Sequence, residues 1–166
     1  MPAVAVATDS THYLPRALAD ELGVHQVSLY VGWRGEPERE LEMDGFDGFY
    51  RRLREDPELP STSQPSIGDF LTVWEPLLQD GRDVVSIHLA GGISGTCEAA
   101  RQAHELLAER GLGERVAVID GETACGDRIQ LPARTRGGAG GEQQKAHAAT
   151  CRFAVDHLHT LALTSL

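Results

Sequence analysis

The sequence predicts an α/β fold built on a mostly parallel sheet with helices on both faces. Three observations carry that expectation. Residues 3–7 are a short apolar, valine-containing run with the length of a buried strand, and residues 24–31, 84–89 and 116–119 read as three further valine-containing strands. Amphipathic segments with helical spacing lie between them. Strands alternating with helices imply right-handed crossovers and parallel pairing, with ligands placed beyond the carboxyl ends of the strands.

Taken in order, the first strand runs into Thr8-Asp9-Ser10-Thr11. Leu14, Leu18 and Leu22 then recur at helical spacing, with Pro15 tolerated in the first turn and Gly23 as a stop. Residues 24–31 read as one strand ending before a turn at residues 32–37. Phe46, Phe49, Tyr50 and Leu53 make a short amphipathic helix with arginines on its outer side, closed by Pro57. Ser66 and Asp69 form a capping box ahead of Ile67, Phe70, Leu71, Trp74 and Leu78, and Pro76 is a candidate kink. After the third strand, Ala99, Ala100, Ala103, Leu106 and Leu107 line one side of a helix that Gly111 and Gly113 end. The fourth strand finishes at Asp120.

Composition narrows the function. A net charge of −10 argues against nucleic acid and against anionic membrane surfaces, leaving a small molecule or a protein partner. Cys97, Cys125 and Cys151 are odd in number and widely spaced, which disfavours a disulfide framework and a zinc site and suits a cytoplasmic protein. The amino terminus has no basic region followed by a long apolar run, and no apolar stretch approaches 18 residues, so neither an export signal nor a membrane span is expected. His157-Leu158-His159 has no third ligand in register, so no metal is expected. Residues 1–122 hold 22 acids and 10 basic residues, whereas residues 123–166 hold three acids and five basic residues. That shift marks a boundary near Thr123, with the glycine-rich run 136–141 read as a linker.

Two hydroxyl-rich stretches stand out: Pro60-Ser61-Thr62-Ser63-Gln64-Pro65-Ser66 and Gly91-Gly92-Ile93-Ser94-Gly95-Thr96. Both open into amphipathic helices, so both are expected to present hydroxyls and unpaired amides at one sheet edge, as two halves of an anion pocket. Asp9 at its strand end suits a helix cap, a charge partner or a site residue, and His88 suits a satisfied core histidine. Gly92-Ile93-Ser94-Gly95-Thr96 also approaches the GxSxG nucleophile elbow, which makes a serine hydrolase or esterase using Ser94 the alternative. Against it, Thr96 replaces the second glycine and no histidine pairs obviously with Ser94. Neither GxGxxG after the first strand nor GxxxxGK[ST] occurs.

Asp9-Ser10-Thr11, residues 27–31 with Gly35, Phe49-Tyr50, Thr62-Ser63-Gln64-Pro65-Ser66, Gly92-Ile93-Ser94-Gly95-Thr96 and Val118-Ile119-Asp120 together resemble the amino-terminal domain of the DegV family. These are bacterial fatty-acid-binding proteins, including the FakB subunits of fatty acid kinase. The resemblance covers roughly residues 3–122. It implies Rossmann-like layering and a non-catalytic lipid carrier without a cofactor, binding a long-chain fatty acid such as palmitate. It implies that Thr62 and Ser94 hold the carboxylate, supported by Ser63, Gly92, Gly95 and Asp9. It further implies a separate kinase as partner. Family members continue into a second α/β domain. Here residues 127–145 read as a basic, glycine-rich insertion or altered reading frame, and Arg152-Phe153-Ala154-Val155-Asp156-His157-Leu158 resembles only that domain's entry strand. The expectation is a lipid-binding domain over residues 1–122, an atypical tail over 123–166, and weakened fatty acid retention.

Overall fold

The computed structural model describes residues 3–43 and 45–122. Its main sheet has four parallel strands in the order β2-β1-β6-β7: β1 (Val4–Asp9), β2 (His25–Val27), β6 (Asp83–His88) and β7 (Val116–Asp120). A second, antiparallel sheet has the order β4-β3-β5, from β3 (Tyr30–Trp33), β4 (Glu36–Arg39) and β5 (Ser61–Ser63). The helices are α1 (Arg16–Leu22), α2 (Phe46–Glu55), α3 (Ile67–Gln79) and α4 (Thr96–Glu109).

Strand alternation sets the core. Ala5 and Ala7 of β1, Val84 of β6 and Val116 of β7 lie on one face, under Phe70, Trp74, Leu77 and Leu78 of α3 and Ala99, Ala100, Ala103 and Leu107 of α4. The alanines of β1 and α4 let aromatic side chains fill the layer, with the Phe70 and Trp74 rings 5.3 Å apart. The β1–α1–β2 and β6–α4–β7 crossovers run outward in opposite directions. Right-handed connections therefore put α1 on the face opposite α4. On that second face Val4, Val6, Val85 and Ile87 are only half-buried.

Helix ends follow the local sequence. Gly23 takes a left-handed conformation (φ 64°) after α1, returning its amide to Ala19 and Asp20 carbonyls. Ser66 and Asp69 form the expected reciprocal capping box at α3, and the helix runs on through Pro76 to Gln79. The aromatic residues of α2 lie half-exposed or exposed on a helix with no buried residue; its arginines are exposed as expected, and Arg52 also stacks over the Trp33 ring at 4.4 Å.

Two expectations need correction. Residues 24–31 are not one strand. The chain leaves the main sheet after Val27 because the fully buried Ser28 hydroxyl donates to the Leu29 carbonyl and accepts the Leu41 amide (2.8 and 3.1 Å), while the Ser10 hydroxyl accepts the Leu29 amide (3.0 Å). Side chains here replace ladder partners, freeing the chain to start a new sheet. Residues 60–66 are likewise not all loop, because β5 pairs antiparallel with β3. The turn expected at 32–37 is a two-residue hairpin, with Arg34 (φ 56°) and Gly35 (φ 81°) both left-handed.

Candidate functional site

The main sheet reverses its winding between β1 and β6, so the crevice beyond their carboxyl ends is the natural ligand position. β1 delivers Asp9 there, and β6 delivers His88 and the turn leading into α4. β7 ends at Asp120, whose carboxylate accepts the Gly91 amide at 3.1 Å and the Glu122 amide at 3.0 Å. The Glu122 amide holds that carboxyl below its usual range against the opposing effect of burial, with help from the Gly91 amide and Arg101. A side chain at Gly91 would press on it, a Cβ lying 2.9 Å from Asp120 Oδ2, whereas Gly92 faces open space.

Between Ala90 and α4 the chain makes a tight turn, with Ile93 and Ser94 amides donating to the Ala90 carbonyl (2.9 and 3.1 Å). Ser94 Oγ lies 2.9 Å from Thr96 Oγ1 and accepts the Thr96 amide at 3.3 Å. The helix's N-cap residue is Gly95, which supplies no side-chain acceptor. Beyond Ser94, then, the first turn of α4 has no side-chain cap, and its amides and dipole face the crevice. Ile93, beside Ser94, is 65% exposed and offers an apolar surface at the same place.

The 60–66 stretch reaches this turn from the second sheet. Thr62 lies on β5 opposite Val31, and Ser63 opposite Tyr30; both are exposed, and neither hydroxyl has a hydrogen-bond partner among the described residues. Gln64 makes the junction: a Cβ on Gly95 would collide with its side chain, coming within 2.6 Å of Cδ. The two stretches meet there. Helix α3 does not share the open start of α4. Asp69 Oδ2 accepts the Ser66 amide (2.8 Å) and the Ser66 hydroxyl accepts the Asp69 amide (3.2 Å), so this start satisfies itself. Burial alone would raise the Asp69 carboxyl, but the Ser66 hydroxyl and amide, the Tyr30 hydroxyl and Arg39 bring it below its usual value.

Asp9 is 1% exposed and serves two of its three possible roles at once. It caps the 3-10 turn Ser10–His12 by accepting the Thr11 amide at 3.0 Å, and it pairs with His88 Nδ1 at 3.2 Å. It also accepts the Leu89 amide at 2.9 Å. Burial would raise its carboxyl, yet His88, the Thr11 hydroxyl and the Leu89 amide outweigh that and leave it lowered, hence ionised. His88 is a satisfied core histidine, with Nε2 2.8 Å from Ser86 Oγ and its ring edge-on to Phe70. This Ser-His-Asp chain therefore uses Ser86, which is fully buried, and not Ser94. Among the described residues no histidine is hydrogen-bonded to Ser94, nor does Ser94 belong to the non-glycine residues with positive φ. A strained nucleophile elbow with a base within reach is not built among the described residues. Residues 127–145 and 152–158, singled out in the sequence, lie outside the described residues.

Sequence reasoning named Thr62, Ser63, Ser94, Gly92, Gly95 and Asp9. The structure sets Asp9, Gly92, Ser94 and Gly95 at the carboxyl edge of the main sheet, and places Thr62 and Ser63 on β5 of the second sheet, just before Gln64. It missed Gln64, the residue that joins the two stretches, although Gln64 lies inside the quoted motif.

Comparison with known proteins agrees with the resemblance. Residues 3–130 match the family model described as an uncharacterised protein of the DegV family. A DegV domain-containing protein of Listeria monocytogenes is 41% identical over 123 residues, which is 74% of this chain and 42% of the relative. Protein DegV of Bacillus subtilis is 40% identical over 105 residues, covering 63% and 37% of the two chains. This chain thus spans about two fifths of the length of these relatives. Among solved structures, DegV of Bacillus subtilis, described as a fatty acid binding protein, superposes with TM-score 0.66 at 35% identity over 75% of this chain and 43% of its own. A DegV family protein of Thermus thermophilus, described by its fatty acid binding, gives 0.64 at 36% identity over 74% and 42%.

Proposed function

This chain belongs to the DegV family, and we propose that its residues 1–122 form a lipid-binding domain for a long-chain fatty acid such as palmitate. In this reading Thr62 and Ser94 donate to the carboxylate. Ser63 and the first-turn amides of α4 add donors, Gly92 and Gly95 keep the turn open to the head group, and Asp9 holds the turn's root. The chain makes and breaks no bond. It carries the fatty acid and presents the head group to a separate fatty acid kinase.

The observation that supports the reading is the contact of Gln64, which directly follows the unpartnered hydroxyls of β5, with Gly95 at the open start of α4. An ionised carboxylate needs donors without a competing charge, and hydroxyls with helix amides supply them, the dipole contributing about 0.3–2 kcal/mol. The tail supplies affinity, at about 0.8 kcal/mol for each buried methylene. Exposed Ile93 gives it an apolar place to start. Two solved relatives above 30% identity are described as binding fatty acid, which supports the same ligand class.

The test is chemical. Lipid extracted from the purified protein after incubation with palmitate is quantified by mass spectrometry, beside Thr62→Ala. Palmitate that is retained by the parent and depleted in the variant supports the assignment. Equal retention in both, or none in either, overturns it.

A further inference from the structure

The buried chain Ser86–His88–Asp9 does more than pack the His88 ring against Phe70. Three polar side chains, each at most 2% exposed, line up across β6 and β1 at the switch point and end on the amide of Leu89. Leu89 is the first residue after β6, and the next residue, Ala90, carries the carbonyl on which the Ile93 and Ser94 amides turn. An ionised carboxylate only accepts hydrogen bonds, so the proton between Asp9 and His88 belongs to Nδ1. That leaves Nε2 facing the Ser86 hydroxyl at 2.8 Å. His88 is thereby held at both ring nitrogens, and Asp9 is held by His88 and by the amide and hydroxyl of Thr11.

We infer that His88 is a positioning residue for the head-group turn: it fixes Asp9, Asp9 fixes the Leu89 amide, and the Leu89 amide sets where Ser94 points. This rests on the reading of Ser94 as a carboxylate donor. The reason for so costly an arrangement is geometric. A turn anchored only by its own backbone bonds would rotate, whereas a buried, charge-assisted acceptor at its root holds one orientation.

Two amide replacements separate positioning from packing, since both remove the imidazole from beside Phe70. Asparagine sets its amide nitrogen near the place of Nδ1 and keeps a donor to Asp9; glutamine sets its nitrogen near the place of Nε2 and faces Ser86 instead. Palmitate affinity and the hydrogen exchange rate of the Leu89 amide are measured on the 166-residue chain. His88→Gln is expected to weaken binding about tenfold and speed Leu89 exchange by a similar factor, while His88→Asn stays within about threefold of the parent in both. Equal effects in the two variants, or none in either, would overturn the inference. The exchange readout needs no ligand, so it distinguishes failures. If Ser94→Ala leaves palmitate affinity unchanged while Leu89 still separates the two variants, the head-group assignment falls and the positioning chain stands. Should both His88 variants unfold, the nearly isosteric Ser86→Ala carries the test, with Leu89 exchange expected about threefold faster and an unchanged rate contradicting the inference.

Discussion

Helices α3 and α4 are approached alike in the sequence and start differently in the fold. Each follows a hydroxyl-rich stretch, and each packs an apolar side onto the same face of the sheet. At α3 the start is closed, because Ser66 and Asp69 satisfy one another's backbone amides and Asp69 also holds Tyr30 and Arg39. At α4 the N-cap is Gly95, and among the described residues Ser94 is the one side chain turned back on the first turn. A helix N-terminus is an anion site only where its amides remain to be satisfied. The comparison assigns α3 to stability and α4 to the ligand, and this division can be broken.

The largest effect is expected from removing both proposed donors. Thr62→Ala combined with Ser94→Ala should weaken palmitate binding at least about a hundredfold, since each hydrogen bond to a charged group is worth roughly 1.5–3 kcal/mol. Circular dichroism melting of the same variant should stay close to the parent's, because Thr62 is exposed and neither residue belongs to the core. The reverse pattern is expected at α3. Ser66→Ala should cost about 1 kcal/mol in denaturant unfolding, the usual loss of a helix cap.

Acid should act on the closed start as well. The Asp69 carboxyl is lowered in the folded chain, with burial opposed by Ser66, Tyr30 and Arg39. Its stabilisation is therefore complete above the ordinary carboxylate range and is lost as pH falls through the lower, folded value. Asp9 contributes with the same sign. Unfolding free energy measured from pH 6 downward should drop below about pH 4, and Asp69→Asn should flatten part of that drop.

A smaller change probes the junction. Gly95→Ala meets only the far end of the flexible Gln64 side chain, which can swing away, and Gly95 has ordinary helical-side geometry (φ −72°). The substitution should therefore leave stability within about 0.5 kcal/mol while loosening the contact between the two stretches. Palmitate affinity should fall by a few-fold in a fluorescence displacement assay. An unchanged affinity would show that Gln64 does not set the spacing of Thr62 and Ser94.

Much of this was legible in the chain. The three long strands of the main sheet, the capping box at Ser66 and Asp69, and the stop at Gly23 follow from local periodicity and side-chain chemistry, which a few neighbouring residues determine. The second sheet was not legible. Glu36-Pro37-Glu38-Arg39 carries no apolar alternation and is largely exposed, and β5 is three small polar residues. Such strands exist because partners reach them from elsewhere in the chain. The break after Val27 depends on Ser10 and Leu41 for the same reason. At the site, the hydroxyls were readable as donors and the closed start of α3 was readable from its capping box, but the contact of Gln64 with Gly95 was not. That contact is tertiary and leaves no local pattern. The Asp9–His88 pairing spans 79 residues and is equally invisible to local pattern.

The division between the two helix starts is tested most directly by calorimetric titration of palmitate into Ser94→Ala and Ser66→Ala side by side. Affinity is expected to fall at least about tenfold in the first and to remain that of the parent in the second. Equal affinities in the two variants, or a loss confined to Ser66→Ala, would contradict the account.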